Sequence, residues 1–159
     1  MNADGIIKRL EHIANNAENR VREAIQQSAE VIAADARALA PVGKHTQGAN
    51  SGALTLSGSI DVRMDGTNAT ITCHAPHGVY VEFGTGRAGA AHHEGTSPGT
   101  IPRYTSGGWV YPYWGDEGLA FAYTEGQPAR PFMYPAAVQN REGTRDQVSK
   151  AIQTLLKGG

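Results

Sequence analysis

"VYVEFGTGRAGAAHHEG", residues Val79 to Gly95, places Gly84, Gly86 and Gly89 in the spacing G-x-G-x-x-G directly after an apolar run. A dinucleotide fingerprint here would make the chain a nucleotide-binding enzyme rather than a building block. It needs a strand before the glycines and a helix after them, because the helix N-terminus holds the pyrophosphate. "VYVEF" can serve as the strand. After the last glycine comes "AAHHEGTSPGT", with more Gly and Pro and no apolar periodicity, so no long helix starts there. Glu82 and Phe83, just ahead of Gly84, do not suit a site that receives phosphates. The fingerprint fails on its context, and the glycines read instead as a backbone exit into a long arm.

Toward the N-terminus, apolar residues recur in helical steps from Asp4 to Ala40: Ile6, Leu10, Ile13, Ala17, Val21, Ala24, Ile25, Val31, Ile32 and Leu39. That spacing keeps them on one face of a 3.6-residue helix. Asp4 reads as its N-cap, Glu11 favours the positive end of the dipole, and Pro41 with Gly43 ends it. At 1.5 Å per residue such a helix is roughly 50 Å long. Part of its stripe therefore either bends over a sheet or meets another subunit. Pro41 to Gly58 is a loop by composition. "SIDVRMDGTNATITCHA" then gives two alternating runs, Ser59 to Met64 and Thr67 to His74, around Asp65-Gly66. This is a hairpin signal, because the turn needs positive φ. Ile60, Val62 and Met64 share one face of the first run, and Ala69, Ile71 and Cys73 one face of the second. Cys73 thus reads as a small buried hydrophobe.

Toward the C-terminus, Arg87 to Gln127 is rich in Gly, Ser, Thr and Pro, a composition usually associated with disorder. Yet Tyr104, Trp109, Tyr111, Tyr113, Trp114, Phe121 and Tyr123 all lie in it. Rings are costly to leave in water, so "GGWVYPYWGDEGLAFAY" is expected to form a hairpin or ordered arm that buries them against something. From Tyr134 to Leu156 helical spacing returns through Val138, Arg141, Arg145, Val148, Ile152 and Leu155, with Pro135 near the first turn. Gly143 costs about 1 kcal/mol relative to Ala, and a kink or fraying is expected there.

Bulk properties and the remaining chemistry narrow the function. A chain of 159 residues with 40% hydrophobic and 18% charged residues fits one globular domain. The formal charge of -1 is no footprint for strong nucleic-acid binding, and it does not rule out a protein that merely surrounds a DNA path. A single cysteine excludes an internal disulfide framework. The start, "MNADGIIKRLEHIANN", lacks the basic head and apolar stretch of a secretory signal, and no apolar run approaches membrane-spanning length. Cys73, His74, His77, His92, His93 and Glu94 lie close in sequence, but "HHE" is not the helical H-E-x-x-H. Ser57, Ser59, Ser97 and Ser106 lack the G-x-S-x-G elbow. No catalytic, cofactor-binding or metal-ligating residue is assigned. The rival reading is a nucleotide- or metal-dependent enzyme using the Gly84–Gly89 loop or the His92/His93 region.

Four segments in order fit a known pattern: "ALAPVG" ending a long helix, "SGALTLSGSI", "YVEFGTG", and "PARPFMYPAA" opening a C-terminal helix. Together they resemble the tail-component, or neck, family of tailed bacteriophages typified by the HK97 gene-ten product. The resemblance runs over nearly the whole chain and is best at "VEFGT" and "PARPF". It implies an α+β fold, with a long N-terminal helix and a C-terminal helix packed on a mostly antiparallel sheet. Residues 1–159 would be a single domain with an extended loop or arm, 87–127, inserted within it. That arm is longer than the family's usual connection, so its role does not carry over. The resemblance further implies a non-enzymatic virion protein of the neck or tail, made in the host cytoplasm. It would act in tail completion or head-tail joining as a ring-forming homo-oligomer. Its partners would be other phage neck or tail proteins, with non-specific proximity to DNA in the tail lumen and no membrane contact. The motif residues are Val81, Glu82, Phe83, Gly84 and Thr85, and Pro128, Ala129, Arg130, Pro131 and Phe132. Physically, Gly84 turns the chain sharply, Phe83 and Phe132 are core anchors, and Glu82 is expected to pair with Arg130. Trp109 and Trp114 are the candidate anchors for a neighbouring subunit.

Overall fold

The first helix, α1 (Ala3–Leu39), runs 37 residues without a break. The structure, a computed structural model, describes residues 3–42, 55–100 and 102–157; side chains 3, 9–15 and 155–157 lie outside that description. The expected contributions of Leu10, Glu11, Ile13 and Leu155, and the expected loop between Gly43 and Leu54, therefore fall outside the described residues. Asp4 lies within the first turn of α1, where its charge still complements the dipole.

The buried face of α1 is built from small residues: Ala24, Ser28, Ala29, Ala33 and Ala36, with Ala40 just beyond its end. Ile25 and Ile32 flank this face half-buried, while Val31 and Leu39 face water. Small side chains let neighbouring backbones approach closely, and two other parts of the chain use that face. One is a hairpin, β1 (Ile60–Asp65) with β2 (Asn68–Cys73), paired antiparallel from Ile60 opposite Cys73 to Asp65 opposite Asn68. Its turn falls at Asp65-Gly66 as expected, with Gly66 at φ 58°. The Arg37 guanidinium donates to the Ile60 carbonyl at 2.7 and 3.2 Å, fixing the start of β1 on α1. The other is the pair of helices at the C-terminal end of the chain.

Two short helices follow the hairpin, α2 (Gly78–Phe83) and α3 (Gly86–Ala91). After a loop comes a second hairpin, β3 (Trp109–Gly115) with β4 (Gly118–Thr124). Among the described residues the hairpin strands form two separate antiparallel pairs rather than one continuous sheet, within an α+β architecture. The chain returns through Gly126 and Gln127, which bridge antiparallel to Gly86 and Thr85. It ends in α4 (Met133–Gln139) and α5 (Arg141–Lys157).

The C-terminal helical pattern breaks at Asn140 rather than at Gly143. Asn140 sits at φ -94°, ψ -1°, and its amide donates to Asp35 at 2.6 Å and to the Ala136 carbonyl at 2.9 Å. That side chain both interrupts the helix and holds it against α1. Further along, the Ser28 hydroxyl donates to Gln147 at 3.1 Å, and Gln147 donates to Gln27 at 2.8 Å. Falling numbers on α1 meet rising numbers on α5, so the two helices run antiparallel.

The core gathers Ala33, Ala36 and Ala40 of the first helix with Leu56, Ile60, Ala75, Phe132 and Ala136. Phe132, 1% exposed, is the largest fully buried side chain among the described residues. Its burial stabilises the fold by about 2–3 kcal/mol. Cys73 is half-buried beside this core, its thiol 3.3 Å from the Ser59 hydroxyl. Among the described residues no helix is long and apolar enough to cross a membrane.

Candidate functional site

The "VYVEF" segment, which by sequence could serve as a strand, is helical. α2 starts where the Gly78 amide donates to the Ala75 carbonyl, and the Tyr80 and Val81 amides both donate to the His77 carbonyl at 3.1 Å. The chain leaves α2 through Gly84 at φ 74°. A Cβ there would lie 2.7 Å from both the Ala129 nitrogen and the Gln127 oxygen. One on Gly89 would lie 2.7 Å from the Gly84 carbonyl carbon and 2.8 Å from the Tyr104 ring. The glycine spacing therefore lets three lengths of backbone cross at close range. At the start of α3 the Ala88 amide is taken by the carbonyl of Glu125 at 3.2 Å, so the chain itself fills the position a phosphate would need.

Glu82 organises this crossing. Its side chain is buried, and its carboxylate accepts three backbone amides from residues fifty positions away: Phe132 at 2.7 Å, Met133 at 3.0 Å and Tyr134 at 3.0 Å. These are orphan donors at the start of α4, whose N-cap residue, Phe132, has no side chain able to accept them. A carboxylate supplies charge-assisted bonds and favours the positive end of the helix dipole.

The expected Glu82–Arg130 ion pair is not formed. Arg130 makes no ion pair among the described residues. Its backbone amide donates instead to the Val81 carbonyl at 2.8 Å, and the Ala129 amide to the His92 carbonyl at 2.9 Å. A buried carboxylate facing three unsatisfied amides is already matched, and adding a guanidinium would strip that group of water as well. The two motifs do meet across the arm, through backbone amides taken by the Glu82 carboxylate and the Val81 carbonyl rather than through opposite charges. Phe132 is the expected core anchor, whereas Phe83 is only half-buried.

Phe83 and Val79 face two apolar grooves that share α2 as a wall. One, of about 430 Å³, is also lined by Ile32, Ile71, Met133 and Tyr134. The other, of about 410 Å³, is lined by Pro102, Arg103, Tyr104 and Trp109 as well. The Tyr104 hydroxyl donates to the Phe83 carbonyl at 2.7 Å, and burial pushes this phenol above its ordinary pKa. Arg87 and Glu125 face each other across the root of the arm at 3.5 Å. His92 and His93 are both exposed, and the His93 ring bonds the Ala90 carbonyl at 3.1 Å.

Beyond this root the β3–β4 hairpin is the expected ordered arm, but its rings are not buried against the rest of the chain. Trp109 is 39% exposed, its ring lying against Gly86, while Trp114 near the tip is 82% exposed. Tyr111, Tyr113, Phe121 and Tyr123 are exposed as well. Tyr111 and Tyr113 are tilted neighbours, 6.3 Å between ring centroids. Together these rings form an exposed apolar surface on the hairpin.

Residues 4–84 match the model of the HK97-gp10-like family, described as "Bacteriophage HK97-gp10, putative tail-component". The chain belongs to this family. The match runs from the first turn of α1 through both strands of the first hairpin and stops at Gly84, where α2 gives way to the arm. It spans about half of this tail component, leaving the arm and the "PARPF" segment outside it. No curated protein and no solved structure matches the chain.

Proposed function

We propose that this tail component is a structural, non-catalytic part of the virion, acting in tail completion or head-tail joining, and that its copies assemble into a ring. The observation that carries the reading is the β3–β4 hairpin, which projects a set of aromatic side chains its own subunit does not cover. A ring needs heterologous contacts, in which one face of a subunit meets a different face of the next. An arm inserted into a closed body supplies that asymmetry. In this reading residues 1–159 form one domain, with 87–127 as the insertion. Glu82, Gly84 and Phe132 fix the root of the arm, while Trp109 and Trp114 are its anchors. The protein is made in the host cytoplasm and ends in the neck or tail, beside other tail proteins. DNA in the lumen would be a neighbour for which a chain of net charge -1 has little electrostatic attraction.

Combining Trp109→Ala with Trp114→Ala tests this. The expected result is a folded protein that no longer enters tails, scored by electron microscopy and infectivity. Normal incorporation of the double variant would remove the arm from the assembly role.

A further inference from the structure

The two faces of the arm differ. On one, Trp109, Tyr111 and Tyr113 lie opposite Thr124, Ala122 and Ala120; on the other, Val110, Pro112 and Trp114 lie opposite Tyr123, Phe121 and Leu119. All six side chains of the second face are exposed. Together they present on the order of 700 Å² of apolar surface, close to the ~800 Å² one partner contributes to a standard interface. The turn beyond them carries Asp116 and Glu117, exposed and without an ion pair among the described residues. Two carboxylates at the leading end oppose entry into a bilayer and approach to DNA phosphates. They suit an apolar protein surface with a positive charge on its wall.

The body offers such a surface at the arm's own root. The groove of about 410 Å³ carries Arg103 among its apolar lining, and its size is within the range of sites that take a compact apolar group. Arg103 is exposed and makes no ion pair among the described residues. The groove on the other side of α2 is equally apolar but has no Lys or Arg in its wall and includes Glu82. Charge therefore selects between them. An arm cannot serve its own groove, because a seven-residue strand at ~3.4 Å per residue holds the tip roughly 20 Å from the root.

We infer that the arm of one copy docks in the root groove of a second copy, with Trp114 in the groove and Asp116 and Glu117 against Arg103. This rests on the proposed assembly role and adds the receiving surface. Every subunit then gives an arm and receives one, joining unlike patches in a series that closes when the rotation allows.

A charge exchange in the full-length protein tests it. One variant carries Arg103→Glu, the other Asp116→Lys with Glu117→Lys. Each alone sets like charges together and is expected to weaken multimer formation at least about tenfold, whereas in an equimolar mixture the acidic arm of the first variant meets the Arg103 groove of the second with opposite charges. The arm of the Lys variant meets the groove of the Glu variant with opposite charges, so the mixture is expected to form at least that heterodimer. A mixture no better than its components, in sedimentation and in tail incorporation, overturns the inference. A second measurement places Arg103→Cys and Glu117→Cys together in a Cys73→Ser chain and oxidises it, both at high protein concentration and within assembled tails. A ladder of dimers and larger multimers is expected. Monomer alone, or linkage to a different tail protein, contradicts the pairing. If the Trp variants block tail assembly while ladder and rescue are both missing, the arm's assembly role stands and this contact falls. A ladder alongside normal assembly of the Trp variants would do the reverse.

Discussion

The root around Glu82 and the hairpin beyond it follow opposite rules. At the root, three helix amides share one buried carboxylate, glycines allow main chains to cross, and Phe132 is sealed among alanines. In the hairpin, side chains of the same apolar character stand in water on both faces. Among the described residues no buried polar side-chain atom lacks a partner, and the body seals Phe132, whereas the arm leaves nearly all of its apolar side chains uncovered. Substitutions in the first should therefore register as lost stability, and those in the second as lost association.

The largest stability effect is expected at Phe132. Phe132→Ala should cost about 3–5 kcal/mol and lower the melting temperature by roughly 10 °C in calorimetry. Glu82→Gln comes next, at about 2–3 kcal/mol, because one of its acceptor oxygens becomes a donor facing an amide. Chemical denaturation should show Arg130→Gln adding under about 0.5 kcal/mol, independently of Glu82→Gln. A coupled pair would restore the ion pair that the geometry lacks. Smallest of all should be Trp114→Ala, within about 0.5 kcal/mol. If it destabilised the free protein as Phe132→Ala does, the contrast between root and arm would collapse.

Much of this arrangement is legible locally. The long α1, the Asp65-Gly66 turn and the hairpin around "GDEG" rest on patterns within a few residues, and they form where expected. "VYVEF" suggests a strand because Val, Tyr and Phe favour extended chain. Tertiary context outweighs that preference, since helical α2 turns Glu82 inward toward α4. The buried face of α1 is hidden for another reason. Periodicity weighs large aliphatic residues, while close helix contact here selects alanines and leaves Val31 and Leu39 outside. Glu82's partners are backbone amides fifty residues away, which no side-chain pattern reveals. A signal does exist in "RPFMYP": a helix start with no Ser, Thr, Asp or Asn at its cap must find an acceptor elsewhere.

Both tryptophans of the chain, Trp109 and Trp114, lie in the arm. Intrinsic tryptophan fluorescence of the unaltered protein therefore reports the arm alone. In the free chain, emission should be red-shifted and readily quenched by acrylamide, with Trp114 the more accessible ring. For the chain assembled into tails, with the signal of other tail proteins removed by selective labelling, emission should shift to the blue and quenching should fall severalfold. Equal quenching in the two states would mean that the arm stays in water after assembly, contradicting the claim that it exists to grip a neighbour.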